Sequence, residues 1–401
     1  MGVFDIPPPA ERYPCVLKCL PIAALAVTLC VTLRALFNNA VAVLGRRLFL
    51  CFLVTTFRFE GTAWMVEATG GDVYDKAVPM IHILYTGGTI GMQPSADGLV
   101  PASGFAALAH TAQAQRSDSD RLPDWQLKEL VPLIDSANMT QHQWQRLAQE
   151  CREAQQQGAA GIVILHGTDT LAYTAGALAF LLATLKIPVV ITGAMLPAGA
   201  PRSDAWENFF GALAAVEQMA EPAVEVFFHG RRMPGWNCCK VKSAGRHAFL
   251  PAREEAVSRR GRDLPELPDA GSTPQVATLT LFPGIQVACV EPLLNTVDGL
   301  VIECYGSGTA PSEDEALMAA FERAAERGAL LLAISQCAQG NVVLDTYAAG
   351  SRLVRAGVIG AGRMTREAAL GKLYWCCGID CSVEERRYWL EQNVLGERGS
   401  A

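Results

Sequence analysis

Three short clusters in this chain combine hydroxyls, glycines and a carboxylate. They are Thr86-Gly87-Gly88-Thr89, His166-Gly167-Thr168-Asp169-Thr170 and Thr192-Gly193-Ala194-Met195. Each follows a short apolar run rich in β-branched residues, so each stands at the end of an expected strand. Threonine is a weak nucleophile and needs a base to take its proton. No GxSxG motif is present and no Ser-His-Asp order is evident. A lysine with a pKa lowered by burial can be that base. The candidate is Lys240, in the polar stretch PGWNCCKVKS. Asp169 can orient this lysine or bind a substrate ammonium. Taken singly, each cluster is more readily read as a strand-to-helix turn capped by Thr or Asp. A lone lysine is most often a surface charge. Three clusters ending strands of one sheet weigh against the purely structural reading, because parallel strands present their carboxyl ends on one edge.

The elements that must position these clusters are regular from Met80 onward. Ile81–Tyr85, Gly161–Leu165, Pro188–Thr192 and Val224–Phe228 read as strands. Gln141–Gln157 carries Trp144, Leu147 and Cys151 at helical spacing, giving a solvent-facing helix with one buried stripe. Leu171–Leu185 is almost wholly apolar and reads as a buried helix, and Ser203–Glu217 as a third, capped by Ser203 or Asp204. This alternation predicts an α/β fold: a larger N-terminal domain with a mainly parallel sheet flanked by helices. Residues 252–274 are charged and proline-bearing and read as a linker. Beyond them, strands at Gln275–Phe282, Gly299–Cys304 and Ala329–Ser335, with a helix at Glu313–Glu326, predict a smaller C-terminal α/β domain. The expected divisions are an extension over 1–79, domains over 80–251 and 275–397, and the linker between them.

Bulk properties restrict the function classes. The chain has 401 residues, half of them hydrophobic and few aromatic, with a net charge of -7. That fits a globular α/β protein and does not suggest a nucleic-acid partner. Thirteen cysteines occur without paired CxxC spacing. The adjacent pairs Cys238-Cys239 and Cys376-Cys377 suit neither easy disulfides nor zinc, so reduced thiols in a cytoplasm are expected. The leader differs from the rest. Met1–Arg58 holds six Lys/Arg and two Asp/Glu, and Leu20–Leu33 is an uncharged apolar run. That run is short for a bilayer span, which needs ~20 residues. Ala40-Val41-Ala42 resembles a signal-peptide cleavage pattern, but Arg34 and Asn38-Asn39 separate it from the run. These lengths argue against membrane association. A natural start at Met65 or Met80 accounts for the leader more simply; N-terminal sequencing would test it.

The stretches YTGGTIGM and LHGTDTLAYTA together resemble the two active-site signatures of the L-asparaginases, most closely the cytoplasmic type I branch. The resemblance continues through PLIDSANMT, ITGAMLPAGAPRSDAWENFFGAL, ECYGSGTAPS, QCAQGNV and QNVLGE, from about Met80 to Glu397. It implies two-step hydrolysis of L-asparagine to L-aspartate and ammonia, with no metal and no cofactor. It implies Thr89 as the nucleophile that forms an acyl-enzyme, with Thr86 a structural strand end. Thr168, Asp169 and Lys240 match the second catalytic group. Backbone N–H groups near Gly88 and Thr168 would form the oxyanion hole. Asp135 and Ser136 match the loop around the substrate's α-carboxylate, and Asp169 would also bind the α-ammonium. A cytoplasmic homodimer or homotetramer is implied as well.

Several positions depart from the family pattern. Leu99 stands where a tyrosine often assists the nucleophile; Tyr85 and Tyr305 are the candidate substitutes. Ala137 replaces a serine, Thr309 an asparagine, and Asn237-Cys238-Cys239 the usual residues before the lysine. Some members bind a second asparagine near the positions of Cys239 and Cys337; two buried thiols explain these residues as well. Three competing readings remain. One is a glutaminase-asparaginase or related amidase, since one methylene changes discrimination by only ~1–3 kcal/mol. A second is a non-catalytic ligand sensor. A third is a dinucleotide-dependent oxidoreductase built on GVIGAGRMT, where Thr365 occupies the place of the third glycine.

Overall fold

The structure, a computed structural model, describes residues 80–399 except 97, 117–121, 255, 257–263, 268–272 and 345–347. The apolar run Leu20–Leu33, the Ala40-Val41-Ala42 pattern and Met65 lie outside the described residues. Among the described residues, no helix is long and apolar enough to cross a membrane.

Strand β1 (Ile81–Gly87) runs into a short 3-10 turn, Thr89–Gly91, and then the hairpin β2 (Met92–Ser95) and β3 (Gly98–Pro101). Next come α1 (Phe105–Ala114), β4 (Trp125–Ile134), α2 (Gln141–Gln156), β5 (Gly161–Leu165), α3 (Leu171–Leu181), β6 (Val189–Thr192) and α4 (Ala205–Glu217). The strands β7 (Val224–Phe228) and β8 (Arg231–Pro234) precede a small ribbon, β9 (Cys238–Lys240) and β10 (Phe249–Pro251). The second half contains β11 (Val276–Thr280), α5 (Val287–Leu294), β12 (Gly299–Cys304), α6 (Glu315–Glu326), β13 (Leu330–Ser335), α7 (Ala348–Arg355), β14 (Val358–Gly360), α8 (Arg366–Gly378) and α9 (Val383–Glu391).

The larger sheet has the order β4-β1-β5-β6-β7-β8, and every pairing is parallel except that of β7 with β8. The smaller sheet runs β11-β12-β13-β14, all parallel. Every residue of β5 is buried, as a strand covered by helices on both faces must be. The α/β architecture with two parallel sheets is therefore the expected one. Strand β4 was not anticipated. It forms the sheet edge, and only its first half alternates toward the core; Glu129 interrupts the apolar–polar alternation that would have revealed it. Helices α1, α5, α7, α8 and α9 are likewise additions.

The apolar stripe expected on α2 is buried, with Thr140 and Gln143 forming a capping box at its start. Helix α3 is buried at every position except Tyr173, and it packs against α8. That contact is close. A Cβ on Gly371 would lie 2.7 Å from the Ala177 Cα, and one on Gly176 would lie 2.7 Å from the Glu367 carbonyl oxygen. Phe180 and Trp375 stack beside the crossing, 6.3 Å between centroids. The stretch read as a linker is tied down well inside its length: Leu264 and Leu267 are buried, and Trp375 Nε1 donates to the Pro265 carbonyl at 3.1 Å.

A buried polar chain fixes the end of β5. His166 is fully buried; its Nδ1 lies 2.7 Å from the Gly167 carbonyl and its Nε2 2.9 Å from Thr174 Oγ1. A carbonyl only accepts, so Nδ1 carries the proton and Nε2 accepts from the Thr174 hydroxyl. That hydroxyl in turn accepts from Trp144 Nε1 at 3.0 Å. The ring is neutral, and burial pushes its pKa from 6.5 down to about 4.

Two expectations follow from this packing. Gly371→Ala should lower stability by ~1–3 kcal/mol, because a methyl group there meets backbone that cannot swing aside. A urea midpoint equal to the parent's would contradict the close crossing. For His166, the folded pKa is depressed. As pH falls through 6.5 toward about 4, the unfolded chain takes a proton that the folded chain refuses. Stability is therefore lost with acidification across this window, by ~3 kcal/mol in full. His166→Gln should flatten that part of the stability–pH curve, measured by denaturant titration beside the parent.

Candidate active site

In the larger sheet, β1 and β5 are neighbours, but β1 leads on to β4 on one side and β5 to β6 on the other. Their outgoing loops diverge, and the crevice between them lies at the carboxyl ends of the strands, where ligands bind in open parallel sheets. The first two polar clusters occupy this point. Gly87 and Gly88 have φ of 115° and 80°, a region that side-chain-bearing residues rarely adopt. Contact reinforces the requirement. A Cβ on Gly87 would lie 2.5 Å from the Ile134 carbonyl oxygen, and one on Gly88 would lie 2.3 Å from the Gly167 Cα. A Cβ on Gly167 would in turn lie 2.5 Å from Ser136 Oγ. Three loops, from β1, β4 and β5, thus meet backbone to backbone.

Around that junction the singled-out residues take distinct places. The Thr86 hydroxyl donates to the Leu165 carbonyl at 3.0 Å and is buried. Thr89 starts the 3-10 turn and is half-buried. Thr168 is buried and Asp169 exposed on the loop after β5. Lys240 ends β9 and reaches both: its Nζ is 3.1 Å from Thr168 Oγ1 and 2.7 Å from Asp169 Oδ1. The lysine side chain is 18% exposed and the aspartate 64%, so the ion pair is open to water on the aspartate side. Asp135 is exposed and caps a short turn over Ser136–Asn138 by accepting from Ala137 N at 3.2 Å. This turn presses Ser136 against Gly167, and Thr170 Oγ1 donates to the Ser136 carbonyl at 2.8 Å. Lys240, Thr168, Asp169 and Ser136 are thus brought together, with Thr89 on the adjoining β1 loop beside Gly88.

The third cluster is a support. Asp204 is buried at the start of α4, yet its carboxylate makes no cap bond. It accepts instead from Met195 N at 3.0 Å and Leu196 N at 3.0 Å. Ser203, one residue before that N-cap, serves the helix start instead: its Oγ accepts from Ala205 N at 3.0 Å. Asn208 Nδ2 donates to the Gly193 carbonyl at 2.9 Å. The loop so fixed donates from Ala198 N to the Ile90 carbonyl at 3.0 Å, inside the turn that begins with Thr89. Sequence reading missed this role. Its available signal was a pair of polar residues four apart on an otherwise apolar helix face.

Neither tyrosine substitutes simply for Leu99. Tyr85 is fully buried, stacked on Phe105 at 5.3 Å, and donates to the Ala102 carbonyl at 3.2 Å. Burial pushes its pKa up to about 12. A Cβ on Gly91 would lie 2.0 Å from its hydroxyl, so Tyr85 is the floor under the Thr89 turn. Tyr305 follows β12 of the smaller sheet, with its hydroxyl buried and unpartnered among the described residues. Leu99 is 49% exposed in the β2–β3 hairpin. Cys239 is half-buried, with its thiol donating to Glu367 Oε2 at 3.6 Å; Cys337 is exposed after β13. Among the described residues, no group of three or more His, Cys, Asp or Glu side chains is arranged to hold a metal ion. The dinucleotide-like stretch does form strand, turn and helix, but the chain itself fills the turn. Arg363 N donates to the Arg398 carbonyl at 3.0 Å, and a Cβ on Gly362 would lie 2.7 Å from that oxygen. Thr365 caps α8 by accepting from Ala368 N at 3.1 Å.

Known proteins resemble this chain over most of its length. Residues 80–264 match the family described as asparaginase, N-terminal, and residues 275–390 the glutaminase/asparaginase C-terminal domain. L-asparaginase 1 of Escherichia coli (strain K12) is 36% identical over 333 residues, spanning 79% of this chain and 97% of that one. The solved thermostable L-asparaginase from Thermococcus kodakarensis superposes with a TM-score of 0.71 at 32% identity, covering 80% of this chain and 100% of that one. L-asparaginase I from Vibrio cholerae O1 biovar eltor gives 0.69 at 34%, covering 80% and 99%. Two consecutive family matches and relatives aligned over nearly their full length establish that this chain belongs to the asparaginase family.

Proposed function

We propose that this chain hydrolyses the side-chain amide of L-asparagine, giving L-aspartate and ammonia through an acyl-enzyme on Thr89. The observation that carries the reading is the contact of Lys240 Nζ with both Thr168 and Asp169, beside the glycine junction that adjoins Thr89. In this reading the Thr89 hydroxyl attacks the amide carbon and its proton passes to the leaving amine. The C–N bond breaks and ammonia departs. Water then attacks the ester carbon, its proton passing through Thr168 to Lys240 in its amine form, with Asp169 holding the lysine in line. The acyl C–O bond to Thr89 breaks, the Thr89 oxygen regains a proton through the same relay, and aspartate departs. Backbone N–H groups at Gly88 and Thr168 receive the developing oxyanion; removing one such donor costs ~10²–10³ in rate. Asp169 also takes the substrate's α-ammonium, for which its exposed oxygen suits. Ser136 stands at the carboxylate end, on the turn that Asp135 caps.

Homology to asparaginases supports the substrate, and the type I resemblance supports a cytoplasmic homodimer or homotetramer with domains over 80–251 and 275–397. A second reading, activity on glutamine as well, is favoured by the C-terminal family, whose description names both activities.

Ammonia release from asparagine and from glutamine tests both readings, with the full chain and a version starting at Met80. Release from asparagine is expected. Thr89→Ala should lower kcat by at least ~10³-fold, and Lys240→Met by ~10²–10⁴-fold. Release from neither amide would sink the assignment. Near-full activity of Thr89→Ala would remove that residue as the nucleophile.

A further inference from the structure

Lys240 is carried by a strand of three residues in a two-stranded ribbon. An isolated ribbon is marginal in water, so its aim depends on what grips it. The grip comes first from Asn237, which is buried just before β9. Its side chain donates to the Arg253 carbonyl at 2.7 Å and accepts from Arg253 N at 3.1 Å, closing the ribbon beyond β10. The Arg253 guanidinium lies 4.9 Å over the Trp236 ring and donates twice from one nitrogen, to the carbonyls of Gly396 at 3.0 Å and Glu397 at 3.1 Å.

Those two carbonyls belong to a tail that is itself locked. Glu397 and Lys372 of α8 are both fully buried, with Nζ 2.6 Å from Glu397 Oε1. Lys372 also donates to the Gln392 carbonyl, and Glu397 Oε2 accepts from Leu395 N at 2.8 Å. Burying two charges is costly, and losing one partner leaves the other uncompensated. The proposed chemistry uses neither charge. The same helix grips the ribbon again near its other end, where Glu367 takes the thiol of Cys239, the residue before Lys240.

We propose that Arg253 and the tail Gln392–Gly399 are positioning elements for Lys240. The tail, locked by Lys372 and Glu397, holds Arg253, and Arg253 holds the ribbon that aims Lys240 at Thr168. This rests on the reading of Lys240 as part of the proton relay.

The test compares parent, Lys240→Met, Arg253→Met and Arg253→Lys, each as the full chain. Arg253→Met keeps a side chain over Trp236 and leaves the buried pair intact. Its kcat for ammonia release should fall ~10–100-fold, the scale of a misplacement of about 1 Å, with KM within about twofold of the parent's. Amide hydrogen exchange should quicken over residues 238–241. Arg253→Lys, with a charged donor restored, should recover part of kcat. An active parent and inactive Lys240→Met, beside a folded Arg253→Met with parental kcat and exchange, would overturn the proposal. So would a rise in KM alone. If Arg253→Met does not fold, Arg253→Lys decides: reduced kcat at parental KM supports positioning, and parental kcat refutes it. Full activity of Lys240→Met would instead overturn the underlying reading of that lysine.

Discussion

The site depends on a steric constraint. The loops after β1 and β5 touch with no side chain between them. Gly88 against Gly167, and Gly167 against Ser136, leave no room for a single Cβ. Backbone N–H groups can approach a small substrate closely only where nothing projects from the chain. The same contact brings the Thr89 turn beside the Thr168 loop, because each loop limits where the other can go. Sheet topology supplies the opening, since the two strands send their connections to opposite sides.

Around this junction the polar groups are fixed by bonds aimed away from the crevice. His166 holds the Gly167 carbonyl from behind, and Asp204 and Asn208 hold the loop that meets Ile90. Tyr85 fills the space beneath the Thr89–Gly91 turn. The reacting side chains, from buried Thr168 to half-buried Thr89, therefore sit on backbone fixed from outside the crevice, as a preorganised site requires. Lys240 differs from this arrangement. It arrives on a ribbon outside the main sheet, and outer supports of that ribbon, Glu367 and the Gly396 and Glu397 carbonyls, come from the second half of the chain.

Much of this was legible from residue order, for physical reasons. Gly161–Leu165 is a continuous apolar run and Gly299–Cys304 one broken only by Glu303; such short runs rich in β-branched residues favour strands. The glycine-threonine clusters announced close approaches because few other residues tolerate them. Long-range and edge features were harder to read. Glu129 broke the pattern of β4, and apolar-to-polar alternation survived only at Trp125–Lys128. Asp204 looked like a helix cap because its partners, Met195 and Leu196, became neighbours only through folding. Lys372 and Glu397 gave no local sign of burial, since two charges far apart in sequence read as surface until they meet. Leu264 and Leu267 were hidden by their charged neighbours.

The burial of α3 has a consequence for how the chain must assemble. This helix has almost no polar face, and part of its cover is α8, from the opposite half of the sequence. One continuous apolar core runs from Leu84 to Leu395. Non-local pairing of this kind closes slowly, because a long loop is ordered before its contacts form. Until α8 docks, the nascent first half displays an oily helix that lacks part of its cover. Such species aggregate. The two halves named by separate family descriptions are thus one folding problem, and an isolated first half would behave as an intermediate in need of a chaperone.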